Sequence, residues 1–125
     1  MATREVKQPT AQHPITITPT EGRVRVRING QLVADTRAAL GLQEANYPAV
    51  HYIPVTDVDP KVLSRSRSRS YCPYKGDAGY YDVTVGNMAV EDAIWTYEKP
   101  YPAVAAIAGH VAFYPNKADI TVDPT

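Results

Sequence analysis

A thiol, an ammonium and two phenols fall within one short run, Tyr71-Cys72-Pro73-Tyr74-Lys75, and a Gly76-Asp77 turn follows directly. Cys72 is the chain's single cysteine, and Lys75 stands three residues beyond it across a proline. An ammonium held near a thiol stabilises the thiolate, so this pair has the makings of a nucleophilic or redox-active centre. The competing reading is structural: a free cysteine often serves as a small buried hydrophobe, and Lys75 then pairs with Asp77 or Asp35. On the chemical reading the catalytic candidates are Cys72, Lys75 and Asp35. Lys75 would hold an anionic or carbonyl group, and Asp35 would orient Lys75 or exchange a proton.

Rings with a polar tip are the usual lining of a pocket for a flat or cationic ligand. Tyr74, Trp95, Tyr97 and Tyr114 are the candidates for that role, with Tyr71 and Tyr80 expected in the same region, and Arg37 adds a second cation beside Asp35. The same rings would equally fill a core. Histidines 13, 51 and 110 are far apart, none beside a second ligand at metal spacing, and one cysteine rules out a four-cysteine zinc site. There is no G-x-G-x-x-G, phosphate loop or G-x-S-x-G elbow. Neither a metal nor a cofactor is expected.

The totals narrow the class. At 125 residues the chain suits one domain with a core that needs no disulfides. A formal net charge of zero gives no overall pull toward nucleic acid or an anionic membrane. No apolar run approaches the ~20 residues of a membrane span, and the first eight residues lack a hydrophobic signal core. One cysteine fits a reducing compartment, so a soluble cytoplasmic protein is expected.

The elements that must position these groups are short strands, because 11 prolines and 7 glycines cut runs rich in Val, Ile, Thr and Tyr. Residues 1–13 read as a flexible N-terminal segment and 14–125 as a single β domain. Ile15 to Thr18, between two prolines, predicts a short edge strand. Arg23 to Ile28 alternates arginine with apolar residues, and Asn29-Gly30 predicts a two-residue hairpin turn. Unbroken, that hairpin pairs Val26 with Val33 and Val24 with Asp35, which aims Asp35 at the apolar face. There it needs Arg37 or Lys75 as a partner; otherwise it ends the strand and caps a turn. A slip of one residue would reverse the faces.

Thr36 to Leu42 reads as one helical turn, Ala49 to Ile53 as a strand, and Asp59-Pro60 as the cap and first residue of a short helix. Ser64 to Ser70 alternates serine and arginine. It reads as a solvated loop, against a phosphate-binding or phosphorylatable strip. Tyr80–Val85 and Met88–Val90 form a second hairpin around Gly86-Asn87. Its register sets Asp82 opposite Glu91, a like-charge clash that a bulge before Glu91 would relieve. Ala93–Tyr97, His110–Tyr114 and Asp119–Asp123 add strands, and Val104–Ala108 a helical turn ended by Gly109. About eight strands result, enough for a sheet that curls or folds over itself.

Several ordered blocks carry a resemblance: Asn29-Gly30 through Asp35-Thr36, Tyr47-Pro48 through Tyr52-Ile53-Pro54, Cys72-Pro73-Tyr74-Lys75-Gly76-Asp77-Ala78, Ala93 to Tyr97, and Ala106-Ile107-Ala108-Gly109 through Tyr114. Together they resemble the domain of unknown function 427 family over about residues 14–120. The resemblance implies a mainly β domain of the β-tent type, two antiparallel sheets meeting at an angle, with one or two helical turns. Many tent relatives join their sheets with zinc held by two CxxC knuckles; hydrophobic packing must serve here. A label attached to the family points to nucleotidyl transfer, which finds no phosphate loop or paired metal-binding carboxylates in this chain. The family motif usually carries histidine directly before the cysteine, where this chain has Tyr71, and that departure weakens any acid–base role inherited from it.

The first functional expectation is a β domain that binds a small molecule around the Cys-Pro-Tyr-Lys-Gly loop, with catalysis left open. The alternative is a non-catalytic structural or interaction module whose motif residues form a polar core network. Nucleic-acid binding through the Arg-Ser tract ranks last, and the sequence does not address oligomeric state.

Overall fold

The computed structural model describes residues 4–124, and in it the punctuated runs become ten strands. They are β1 (Ile15–Pro19), β2 (Arg23–Ile28), β3 (Gln31–Thr36), β4 (Leu40–Glu44), β5 (Val50–Pro54), β6 (Leu63–Cys72), β7 (Gly76–Val85), β8 (Met88–Thr96), β9 (His110–Phe113) and β10 (Asp119–Asp123). Two antiparallel sheets result, a seven-stranded one in the order β1-β4-β5-β9-β8-β7-β6 and a three-stranded one in the order β10-β2-β3. The fold is mainly β, and its helical content is three short 3-10 turns. One is the Asp59-Pro60 turn read from sequence, in which the Asp59 carboxylate accepts from the Lys61 amide at 3.0 Å.

Two of the ten strands were not anticipated. The expected helical turn at Thr36–Leu42 is instead the approach to β4. Leu40-Gly41-Leu42 alternates, and strands on both sides, β1 and β5, take up its backbone groups. The Arg-Ser tract, expected as a loop, is most of β6, a ten-residue edge strand. An edge strand needs only one neighbour, and its exposed arginines discourage further strands from pairing there.

Both hairpins turn where expected, but each ladder carries a bulge. In the first, Val26 pairs with Ala34 and Arg27 with Leu32, which leaves Val33 as the extra residue. The spare carbonyl of Val33 accepts the Asp59 amide at 2.9 Å. Beyond the bulge the register moves by one, so Asp35 faces Arg25 rather than Val24, and buried Thr36 faces Val24. In the second hairpin, Val83 pairs with Val90 and Tyr81 with Ile94. Glu91 and Asp92 bulge out between them, and the Asp92 amide donates to the Asp82 carboxylate at 2.8 Å. The bulge thus takes Glu91 out of register with Asp82, whose carboxylate gains a backbone donor instead.

Two apolar clusters hold this frame. One lies between the sheets, where Val24, Val26 and Val33 meet Ile53, Val83, Ile94 and Val111. Each fully buried aliphatic side chain of this kind contributes about 1.5–3 kcal/mol. The other lies on the opposite face of the large sheet, where Val104 and Ile107 of the turn at Pro102–Ile107 cover Leu42, Tyr52, Ala78 and Tyr97. The candidate site belongs to this second face. No helix among the described residues is long and apolar enough to cross a membrane.

Candidate functional site

The motif loop is the turn between β6 and β7. The Lys75 amide donates to the Cys72 carbonyl at 3.2 Å, and the Lys75 carbonyl accepts from the Tyr101 amide at 2.9 Å. Gly76 then takes φ +112°, a conformation that side chains rarely adopt. Held at both ends in this way, Lys75 is turned inward and is only 7 % exposed.

Its partner is Glu44, at the end of β4. Lys75 Nζ donates to Glu44 Oε1 at 2.5 Å, and the other carboxylate oxygen is hydrogen-bonded to His13 Nε2 at 2.8 Å. Burial pushes the Glu44 carboxyl up, but the hydrogen bonds from Lys75 and His13 outweigh it and hold its pKa below the ordinary value. His13 stacks on Tyr74 with ring centroids 4.3 Å apart. Residues 4–13, expected as a flexible segment, run against the motif loop. The Lys7 amide donates to the Pro73 carbonyl at 2.9 Å, the Tyr71 hydroxyl donates to the Glu5 carbonyl, and Arg4 pairs with Asp77. Residues 1–3 lie outside the described part.

Beside the ion pair is a cavity of about 230 Å³, whose wall includes Tyr52, Tyr80, Trp95, Tyr97 and Tyr114 and whose polar end is Lys75 with Glu44. Strand pairing sets Tyr80 opposite Trp95. The indole N–H donates to the Tyr52 hydroxyl at 3.1 Å, and the indole packs on Tyr114 with centroids 4.5 Å apart. Burial raises the Tyr52 phenol to about 12. Burial and the neighbouring Tyr80 phenol do the same for Tyr114, to about 12, and burial lifts Tyr97 well above the usual phenol range. At neutral pH these phenols are therefore uncharged, and a ligand in the cavity would meet neutral O–H groups and one ion pair.

The residues singled out from sequence divide into two groups. Lys75, Trp95, Tyr97 and Tyr114 line the cavity together, and Cys72 lies next to them with its sulfur 3.9 Å from Lys75 Nζ. Asp35 does not join them. The Val33 bulge turns it to the arginine side of the small sheet, where Arg23 grips it through two hydrogen bonds of 2.6 and 2.5 Å. That ion pair holds the Asp35 carboxyl below its ordinary pKa. Arg37 is exposed just beyond Asp35. Tyr74 does not line the cavity; it stands behind the ion pair, between His13 and Lys7.

Sequence reading missed Glu44, His13 and Tyr52. A signal for Glu44 existed: it continues the alternation of Leu40 and Leu42, so a carboxylate follows two apolar residues onto one face. The same argument had been applied to Asp35, where the bulge defeated it. For His13 no local pattern pointed to the site, because nothing in a polar leader fixes where it crosses the fold.

Among the described residues, no three His, Cys, Asp or Glu side chains gather as a metal site. Comparison with curated proteins finds no match. The model of the domain of unknown function DUF427 matches residues 16–124, nearly all of the two sheets and the whole cavity wall, and the chain belongs to that family.

Proposed function

We propose that this protein binds a small organic molecule carrying a carboxylate or carbonyl group, with that group at Lys75 and the rest among the rings. One observation carries the reading: a lysine ammonium withdrawn from solvent, paired with Glu44, forms the polar end of a cavity whose remaining wall is tyrosines, Trp95 and the apolar Leu42, Pro48 and Val50. An ammonium has three donors. Glu44 takes one, and the Cys72 sulfur, at 3.9 Å, is a weak acceptor. A donor is left for a ligand oxygen in a setting of low dielectric, where such a bond is strong. The chain Lys75–Glu44–His13 also supplies a route for a proton between the cavity and the N-terminal segment, which would support acid–base catalysis on the bound group. A free thiol at Cys72 suits a reducing, cytoplasmic setting.

A second reading has its own support. Among the described residues no buried side-chain nitrogen or oxygen lacks a partner, so the Lys75–Glu44–His13 chain is satisfied without a ligand and would serve as a structural latch. A thermal-shift screen of small carboxylates and carbonyl compounds separates the two. A ligand present at a hundred times its Kd stabilises the native state by about 2.7 kcal/mol. Compounds that raise the melting temperature of the wild type, but not of Lys75→Met, support the binding site. A screen in which nothing raises either leaves the latch.

A further inference from the structure

The pairing of β5 with β9 is shorter than either strand. It holds Ile53 opposite Val111 and Pro54 opposite His110, and stops there, although β5 begins at Val50 and β9 runs on to Phe113. On its other edge β5 stays paired with β4 as far as Val50 opposite Leu42. The middle of the large sheet therefore carries a break in its ladder, at one end, between two neighbouring strands.

A second cavity, of about 300 Å³, sits at that break. Its wall includes Pro48, Val50, Trp95, Phe113, Pro115 and Ile120. Phe113 and Ile120 belong to the cluster between the sheets, whereas Tyr52 and Tyr97 of the first cavity belong to the cluster on the other face. Yet Tyr47, Pro48, Val50 and Trp95 line both cavities. The two hollows thus lie side by side where the ladder stops, separated by shared wall residues, with the exposed ring of Tyr47 at their common rim. They differ in chemistry. The first has the Lys75–Glu44 ion pair and a set of hydroxyls, whereas the second has one imidazole, His51, hydrogen-bonded to the Thr20 hydroxyl at 3.1 Å and held toward its neutral form by burial, in an otherwise largely apolar wall.

Neither volume alone is generous for a ligand site, for which ~300 Å³ is the usual lower bound, but a ligand occupying both has ample room. We infer that the two cavities form one amphipathic site, and that its ligand is an elongated carboxylic acid or carbonyl compound. The oxygen-bearing head lies at Lys75, and an apolar tail passes Trp95 into the hollow walled by Phe113 and Ile120. This inference rests on the proposed binding at Lys75 and adds the shape and class of the ligand.

Trp95 is the only tryptophan and lies in the shared wall, so its fluorescence reads occupancy of either cavity. The test titrates the intact protein with acetate, hexanoate and decanoate. Each buried methylene is worth about fourfold in affinity, so decanoate should bind on the order of a hundredfold more tightly than hexanoate. Ile120→Phe, which fills the apolar hollow, should remove that preference and bring decanoate down to the affinity of hexanoate. Ile120→Ala, which enlarges it, should keep or extend the preference, so a fold lost in one variant does not hide the answer. Lys75→Met should weaken all three acids. Equal binding of short and long acids, or a preference indifferent to both Ile120 variants, overturns the tail site while binding at Lys75 stands. Failure of every acid to bind overturns the head site, and the present inference with it.

Discussion

Glu44 and Lys75 stand 31 residues apart in the chain and 2.5 Å apart in space, in an ion pair whose side chains are 18 % and 9 % exposed. The pair joins the end of β4 to the loop between β6 and β7, two places between which the sheet order puts three strands, β5, β9 and β8. It lies at the polar end of the aromatic cavity. Through the second oxygen of Glu44 the pair is also tied to His13 of the N-terminal segment.

The two partners are unequal in what their loss leaves behind. Glu44→Gln strands an ammonium with little solvent, whereas Lys75→Met leaves a carboxylate still bonded to His13. Glu44→Gln should therefore cost about 3 kcal/mol in urea unfolding and Lys75→Met about 1 kcal/mol, with the double variant well short of the sum. Equal losses from the two single variants would contradict this account.

The acid limb of stability should report Glu44. Its folded pKa lies below the unfolded value of 4.5, because the bonds from Lys75 and His13 outweigh burial. Its contribution is thus complete above about pH 4.5 and is lost as pH falls through the lower, folded value. Unfolding free energies measured from neutral pH to about pH 3 should fall less steeply for Glu44→Gln than for the wild type. The slope left in the variant belongs to Asp35, Asp77 and Asp92, whose pKa values are also lowered.

At high pH the tyrosines act in the opposite direction. Burial raises the Tyr52 phenol from 10.0 to about 12, so its contribution is complete below pH 10 and is lost as pH rises toward 12. Tyr52→Phe should flatten the alkaline limb of a urea-unfolding series. Ultraviolet titration of the native protein should show Tyr52 and Tyr114 ionising later than exposed phenols. Ordinary titration of all nine tyrosines would remove the claim that burial shields Tyr52 and Tyr114.

Gly76→Ala tests how Lys75 is aimed. At φ +112° an added Cβ is strained, and it would sit 3.4 Å from the Lys99 carbonyl. A loss of about 1–3 kcal/mol is expected, together with weaker carboxylate binding than stability alone explains, because the turn that directs Nζ toward Glu44 relaxes. A variant that folds and binds as the wild type does would show that this turn does not position the ammonium.

Asp92 ties the Arg-Ser strand to its sheet. Its carboxylate accepts from the hydroxyls of Ser66 at 2.6 Å and Ser68 at 2.7 Å, while its backbone sits at φ 48° in the bulge. Asp92→Ala should cost about 1–3 kcal/mol and speed hydrogen exchange of the Ser66–Ser68 segment. Asp92→Asn, which keeps an acceptor and tolerates that φ, should cost less.

The local patterns settled a good deal. Alternation with proline and glycine breaks was enough for eight of the ten strands, both hairpin turns and the Asp59-Pro60 cap, because each depends on neighbours only a few residues away. The inward side of β8 was legible in part: the unbroken register puts Tyr80, Trp95 and Tyr97 on one face, and the two-residue bulge keeps that parity while moving Trp95 opposite Tyr80. The Arg-Ser tract was hidden because composition speaks for solvent, and only a neighbour in the sheet makes such a run a strand.

Tertiary structure alone decided who meets Lys75. One extra residue at Val33 reversed the direction of Asp35 and gave it to Arg23. The partner came instead from Glu44, and behind it His13, through contacts whose sequence separation no local rule spans. A bulge costs the chain one residue and changes every side chain beyond it to the other face. The chemistry available was therefore written in residue types, and its arrangement in the register of the strands.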